Sequence, residues 1–349
     1  MNYTLREHRE MICHYNSLDM TTNTNEYNSK TQDIYFFNTF VWKYFLPMKT
    51  FFVVLVFLSF SFLSTAQYTE TINSNRPGAS FGAYSVGTNV IQVEGGVGFG
   101  NDEHDLQRTN TDNFFIDYAL RYGLILEELE LILEGRFAFA DETNMRSSVT
   151  QNFSFSNFQT NTIGAKYLLF DPHKKKQVEG PNVYSYHANN SVQWGDLIPA
   201  VSLYAGANIL YGDNPFMFED EPSVSSKFAL SAQSNLDRTV VVINIIADKV
   251  ETDFPSYSGI LTVTHALDSR FSIFGEIQST VSDIYSDELL RAGGAYLFNK
   301  NLQLDLFGLI NFKNTPQRWL AGIGLSYRFD NFHEDYYIKD NDDEDENNF

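Results

Sequence analysis

The chain has 349 residues, a formal charge of −20 and a mean hydropathy of −0.27. Its length allows one large domain or two small ones, and its hydropathy excludes a helical membrane bundle. Its acidic balance argues against a nucleic-acid partner, because phosphate binding requires clustered Lys and Arg. Aromatic residues make up 15% of the chain and only 9 residues are proline, a composition that suits strands better than helices.

The first element in chain order is an export signal at residues 48–66. Lys49 forms a short basic region, residues 51–63 are apolar, and Ser64 and Ala66 are the small residues that precede a cleavage site. This pattern predicts a cleaved secretory signal peptide, since a membrane-spanning helix needs about 20 apolar residues. The alternative is an uncleaved anchor extended upstream through residues 36–46, although Lys and Pro residues interrupt that longer stretch.

The segments on either side of the signal have no clear hydrophobic period. Residues 1–47 are polar, and we expect either a non-native upstream extension, with Met48 as the true start, or a disordered region. The single cysteine, Cys13, lies there, so the mature chain is expected to have no disulfide framework and no thiolate metal site. Residues 67–87 are expected to form a periplasmic segment that plugs the domain that follows.

From residue 88 to residue 329, apolar and polar residues alternate with a period of two. The segments have the length with which a tilted strand crosses a bilayer. In the first, Ile91 and Val93 lie on one face, and Gln92 and Glu94 on the other. The predicted strands cover residues 88–100, the stretch around 116–122, and residues 129–139, 157–170, 197–210, 226–235, 239–247, 258–267, 271–280, 288–298, 302–312 and 317–329.

The predicted connections alternate in length, as in bacterial outer-membrane barrels, which have short periplasmic turns and longer outer loops. Longer connections follow the odd-numbered strands, at residues 101–112, 141–156, 211–224, 248–257 and 281–287. Shorter ones follow the even-numbered strands, at residues 125–128, 236–238, 268–270 and 299–301. One connection, 171–196, is long where a short turn is expected, and either a strand pair around residues 183–187 or a periplasmic excursion would explain it. The sequence predicts an all-β fold: a transmembrane antiparallel up-and-down β-barrel of about 12 strands in the outer membrane.

The C-terminal region begins with an amphipathic strand that ends on Phe329. This strand resembles the assembly signal of outer-membrane proteins, which implies insertion by the barrel-assembly machinery into outer-membrane lipid. Residues 330–349 are acidic and poor in apolar residues, so a disordered tail is predicted. Its carboxylates could bind Ca²⁺ weakly, but an EF-type loop needs a Gly at its turn and none is present, which favours a solvated tail.

A motif at the start of the mature chain resembles the opening of the meta-pathway phenol-degradation family of bacterial outer-membrane proteins, whose members are often described simply as transporters. The motif lies within residues 72–100 and consists of Arg76, Pro77, Ser80, Gly87, Gln92, Glu94 and Gly96. Asn75 stands where the family usually has Asp. The resemblance implies an outer-membrane barrel that passes small apolar or aromatic compounds.

The motif also has a physical interpretation. If Ile91 and Val93 face lipid, Gln92 and Glu94 point into the lumen. Arg76 could then cap the periplasmic mouth and pair with Glu94. The alternative is an ion pair that only fixes the N-terminal segment in place.

Further charged residues are predicted to face the lumen, because a charge on the lipid face is costly. These candidates are Asp117, Arg121, Glu130, Glu134, Arg136, Glu276, Arg291, Asp305 and Arg328. Their mixed signs fit either a selectivity lining or a closed network of salt bridges.

Three functions remain open from the sequence. The first is a passive or gated channel for small apolar or aromatic molecules, and the second is a structural or adhesive barrel without transport. The third is a barrel-embedded hydrolase, for which His265 near Ser258 is the candidate pair, but no G-x-S-x-G or H-E-x-x-H motif supports it. We expect a non-enzyme without catalytic residues, cofactor or metal. The acidic residues beside His104 are interpreted as solvated loop charges.

Overall fold

The computed structural model describes residues 71–172 and 197–330. Within these residues the chain forms twelve β-strands. They are β1 (Ile91–His104), β2 (Thr109–Gly123), β3 (Leu129–Asn144), β4 (Gln151–Phe170), β5 (Ala200–Ile209), β6 (Val224–Leu236), β7 (Thr239–Asp248), β8 (Ser256–Ala266), β9 (Phe271–Ser282), β10 (Ser286–Asn299), β11 (Leu302–Asn311) and β12 (Gln317–Phe329). No helix within this part of the chain is long and apolar enough to span a membrane.

The strands form one closed antiparallel barrel. Each strand pairs with its neighbours in sequence, and β1 closes the ring by pairing with β12. Closure leaves no strand edge unpaired, which is the condition for a sheet to exist in hydrocarbon. The predicted up-and-down barrel of about 12 strands is confirmed.

Alternation along the strands separates an apolar outer face from a polar inner face. On β1, Val93 and Phe99 are exposed on the outside, whereas Gln92 and Glu94 are buried. The same alternation on β2 exposes Leu120 and buries its neighbour Arg121. The exposed apolar residues form the surface that contacts lipid.

Several strand boundaries differ from the sequence prediction. β1 begins at Ile91 rather than residue 88, because Gly87 and Asn89 adopt positive φ angles of 96° and 58° and form a turn. The predicted loops 101–112 and 141–156 are largely strand, since β1 to β4 continue through them. Polar side chains pair across these extensions, as where Asn101 donates to Asp112 at 2.8 Å. Where both faces of a strand are polar, apolar and polar residues do not alternate along it. The sequence therefore predicted loops for these extensions.

The two ends of the barrel differ in their connections. At one end, here called the turn end, the described connections include residues 124–128, 237–238, 267–270 and 300–301. At the other, the loop end, they are residues 105–108, 145–150, 210–223, 249–255, 283–285 and 312–316. The long connection predicted at residues 171–196 belongs to the turn end. The strand pair suggested there, around residues 183–187, lies outside the described residues.

Candidate functional site in the barrel interior

The N-terminal residues that precede β1 lie inside the barrel. This interior segment, residues 71–90, is tied to the turn end at both of its ends: the Ile72 amide donates to the Lys300 carbonyl at 2.8 Å, and the Asn89 amide donates to the Gly123 carbonyl at 3.0 Å. Between these points, Phe81 and Val86 are buried. The interior segment is held by the barrel wall rather than by secondary structure of its own.

The inward-facing residues of β1 bind the beginning of the interior segment. Gln92 donates to the Asn73 carbonyl at 3.1 Å, and Glu94 accepts from the Ser74 hydroxyl at 3.0 Å. Gln92 also donates to Glu94 at 2.7 Å, which orients the carboxylate. The Q-x-E spacing places both side chains on the same face of the strand.

Arg76 lies deeper in the barrel and pairs with two carboxylates on opposite sides of the β1–β12 junction. Its guanidinium donates twice to Asp305 on β11, at 3.3 Å each, and lies 3.6 Å from Asp117 on β2. The expected pair between Arg76 and Glu94 is therefore wrong. Since Glu94 is already occupied by Ser74, Arg76 extends past it, and its peptide bond to Pro77 is cis.

Two glycines provide the space for Arg76. Gly96 on β1 and Gly324 on β12 are register partners, and a Cβ added to either would overlap the Arg76 guanidinium. The guanidinium thus lies against bare backbone between its two carboxylate partners. The motif glycine at position 96 is explained by this contact.

The partner of Glu94 is Arg121, at the centre of a fully buried network. Arg121 lies 3.1 Å from Glu94 and 2.5 Å from Glu130, and Lys166 lies 3.3 Å from Glu130. All four side chains are at most 1% exposed. Such charges are stable in the interior only as hydrogen-bonded pairs.

This network also holds the second half of the interior segment. Lys166 donates to the carbonyls of Gly82 at 3.0 Å and Tyr84 at 2.9 Å, and the Val86 amide donates to Glu130 at 3.2 Å. Burial and the nearby Asp171 carboxylate raise the pKa of the Tyr84 hydroxyl, so this group stays protonated. Lys166 was missed by the sequence prediction, although a single lysine on the inward face of a strand was a usable signal.

On the opposite wall, Glu276 and neutral side chains bind the middle of the interior segment. Glu276 accepts from the Ala79 amide at 3.0 Å and pairs with Arg291. Asn244 accepts from the Phe81 amide at 2.7 Å and donates to the Phe81 carbonyl at 3.0 Å. The sequence prediction considered charges and so missed Asn244, which identifies the inward face of β7.

The remaining predicted lumen charges also lie inside the barrel and are paired. Arg136 donates to Asp117 at 2.6 Å and 3.1 Å, and Glu134 accepts from Lys227 at 2.8 Å. Arg328 donates to Asn301 at 2.8 Å near the turn end. Every predicted interior charge therefore has a polar partner, which forms a network of mixed sign.

Beyond the charged centre, inward-facing aromatic side chains form an apolar cluster. Its buried members are Phe115, Ala138, Phe274 and Phe307, and Phe216 and Leu320 pack against them. Ala138 on β3 and Phe274 on β9 come from walls six strands apart in a ring of twelve. The aromatic cluster therefore extends along half of the barrel wall, from β3 through the β1–β12 junction to β9.

The rings of the aromatic cluster lie over glycines of adjacent strands. One row of register partners across five strand pairs consists of Phe274, Gly293, Phe307, Gly322, Gly98 and Phe115. A Cβ at Gly293, Gly322 or Gly98 would overlap the neighbouring Phe ring. Alternating large and small residues lets these rings lie along the wall, and the Arg136 guanidinium covers the Phe115 ring at 4.0 Å.

The residues considered for other chemistry do not form a site. His265 faces outward beside Thr239 at 2.9 Å, whereas Ser258 faces inward and bonds Thr280 at 2.8 Å. The two therefore lie on opposite faces of β8 and cannot act as a catalytic pair. Among the described residues, no group of three or more His, Cys, Asp or Glu side chains could hold a metal ion.

A closed antiparallel barrel with an apolar outer band and a polar interior defines the class of this protein: a transmembrane β-barrel of the outer-membrane type. Its family follows from the sequence. The profile of the family described as "Putative MetA-pathway of phenol degradation" matches residues 74–329, and the chain belongs to this family. No curated protein matches the chain.

Solved structures share the fold. The chain is similar to an outer membrane channel from Pseudomonas putida F1, with 10% identity and a TM-score of 0.50 over 74% of this chain and 100% of that one. It is less similar to the CymD monoaromatic hydrocarbon channel, with 8% identity and a TM-score of 0.40 over 69% and 89% of the two chains. The NanC porin gives 8% identity and a TM-score of 0.41 over 68% and 98%.

Proposed function

We propose that this protein is a gated outer-membrane channel for small apolar or aromatic molecules. The aromatic cluster in the lumen carries this proposal. A porin for polar solutes has a water-filled, polar lumen, whereas here the rings of Phe115, Phe274 and Phe307 form an apolar lining over consecutive strands. An apolar solute replaces ring contacts at little cost, while a polar solute loses its hydration there.

The paired charges fit a channel for neutral solutes. Arg76, Arg136 and Arg291 each contact a carboxylate, so no unpaired cation among them attracts an anion. Two proteins of similar structure are an outer membrane channel and a monoaromatic hydrocarbon channel. The interior segment is bonded to both sides of the lumen, so the gate is formed by movement of this segment.

The topology in the cell forms part of the proposal. Residues 48–66 direct export and are removed, the barrel-assembly machinery inserts the chain, and outer-membrane lipid surrounds the apolar band. The turn end then faces the periplasm and the loop end the exterior, since long loops of such barrels lie outside. N-terminal sequencing of the outer-membrane form should begin at Gln67, and a sequence that retains residues 48–66 would contradict cleavage.

Transport is tested by uptake of labelled toluene into intact Gram-negative cells, whose lipopolysaccharide slows apolar solutes. Cells with the barrel should take up toluene faster than cells with an empty vector, and Phe307→Gln should return the rate toward the empty-vector value. Phe312→Gln is the matched control, because Phe312 is 60% exposed at the barrel surface. Equal uptake with and without the barrel would refute the channel.

The structural barrel without transport is the second candidate. One observation favours it: the interior segment lies inside the barrel and is bonded to both sides of the lumen. It predicts that no solute passes even when the protein is folded. Folding is checked by the shift in gel mobility between unheated and boiled outer-membrane samples, so a folded barrel with no uptake would select this candidate.

A further inference from the structure

The connection between β5 and β6, residues 210–223, is the longest of the loop-end connections. It carries Phe216 to the aromatic cluster, where this ring is partly buried. Phe216 also packs edge-on against Phe155 of β4, with ring centroids 5.4 Å apart. A residue from the loop end therefore covers the aromatic cluster on the side from which an external solute would enter.

The turn that presents Phe216 is fixed by a buried residue. Asn214 is 7% exposed and donates to the Phe158 carbonyl of β4 at 2.7 Å. Its side chain also accepts from the Phe216 amide at 3.0 Å, and its carbonyl accepts from the Met217 amide at 3.1 Å. Asn followed by Pro215 is the sequence that favours such a turn.

A second anchor holds the far side of the connection. The Glu221 side chain is buried, pairs with Lys249 and accepts from the Phe218 amide at 3.1 Å. Phe218 stacks on Phe254, with centroids 5.1 Å apart, and remains 48% exposed. Two aromatic residues of one connection thus have different surroundings: Phe216 faces the lumen, and Phe218 packs between loops.

We propose that Phe216 is the specificity-determining residue at the loop-end entrance, and that its ring sets the width of the aromatic solutes that enter. This proposal rests on the proposed function. The turn held by Asn214 keeps the ring against the aromatic cluster, so a solute that enters along this cluster from the loop end must pass Phe216. Removal of the ring widens the entrance without changing the charged centre, because the Phe216 ring packs on the aromatic cluster and Phe155.

The uptake rates of toluene, naphthalene and pyrene, which increase in width in this order, test whether Phe216 limits the width of the solutes that enter. Phe216→Ala should accelerate pyrene most and toluene least, and Phe218→Ala should leave all three rates unchanged. If the wild-type barrel takes up toluene but Phe216→Ala leaves the relative rates of the three solutes unchanged, the assignment of Phe216 is overturned while the channel stands.

A labelling experiment tests the entrance even if no transport occurs. Cys13 is the only cysteine, so Cys13→Ser combined with Leu320→Cys gives one thiol at the aromatic cluster, against which Phe216 also packs. Leu309→Cys, on the inward face of β11, is a second reporter should the first variant not fold. Adding Phe216→Ala should raise the rate of labelling by benzyl methanethiosulfonate at least about tenfold, which corresponds to an activation barrier lower by about 1.4 kcal/mol. The rate of labelling by the smaller methyl methanethiosulfonate should change little. Equal benzyl rates with and without Phe216 would overturn the proposal, and Phe218→Ala is again the control.

Discussion

The guanidinium of Arg76 occupies the space that a side chain at position 96 would need. Gly96 leaves this space empty, and Asp305 and Asp117 hold the guanidinium in it. A residue of the interior segment and a residue of the barrel wall thus depend on each other, although they lie on different elements. This relationship predicts the effects of changing either residue.

Adding a methyl group at position 96 should displace Arg76. We expect Gly96→Ala to lower the free energy of unfolding by about 1–3 kcal/mol, because the added atom must move a charged group from its partners. Urea unfolding in lipid vesicles, followed by Trp fluorescence, measures the change. Gly95→Ala is the control: its Cβ would meet only the Asp117 carbonyl oxygen, at 3.9 Å, so its cost should stay within about 0.5 kcal/mol. Equal losses of unfolding free energy at positions 95 and 96 would show that overlap with the Arg76 guanidinium does not explain the effect.

Removal of the Arg76 charge should leave a buried carboxylate without its cation. The Asp305 side chain is 0% exposed, so Arg76→Met should destabilise the barrel by about 3–5 kcal/mol. Arg76→Met combined with Asp305→Asn should recover part of this loss, as a double-mutant cycle measures. The exposed Arg270 provides the control, and Arg270→Met should have little effect. No recovery in the double variant would show that the pair is not the source of the stability.

Lys166 should hold only the second half of the interior segment. Lys166→Met removes the donor to the Gly82 and Tyr84 carbonyls, so amides from residue 82 to residue 86 should exchange hydrogen faster. Amides near Ser74 should keep their protection, since Glu94 still binds there. Hydrogen exchange with mass spectrometry resolves the two regions. Lys313→Met is the control, because Lys313 lies at the loop end, where its side chain contacts Tyr285 and the Ser286 carbonyl. Uniform loss of protection would indicate general unfolding instead.

Asn214 should act through Phe216 as a positioning residue. Asn214→Ala loses the bonds to the Phe158 carbonyl and the Phe216 amide, so the ring should leave the entrance and pyrene uptake should rise as in Phe216→Ala. The adjacent exposed residue supplies the control, Asp213→Ala, which should keep the wild-type rate. Combining Asn214→Ala with Phe216→Ala should give no further increase. An additive increase would show that Asn214 acts independently of the ring.

The period of two in the sequence was sufficient to predict the barrel and to predict that its charged side chains point inward. A period of two places Glu94, Asp117 and Arg121 on one face of their strands whatever the partners are, because alternation is a local property of the chain. The largest boundary errors occur where this signal vanishes, in the polar extensions of β1 to β4; β1 also begins late because Gly87 and Asn89 turn the backbone, and β5 begins at Ala200 rather than residue 197.

The partners of these residues were decided by the tertiary structure. Arg76 pairs with Asp305, which lies 229 positions away, and not with Glu94, because the interior segment passes Glu94 before the guanidinium reaches β11. Alternation along the chain was enough to predict an outer-membrane type of barrel with a polar interior, because it is local. Pairing of β1 with β12 joins strands that are distant in sequence, and this closure brings Asp117 and Asp305 to Arg76 and the rings of Phe115 and Phe307 into one cluster under Phe216.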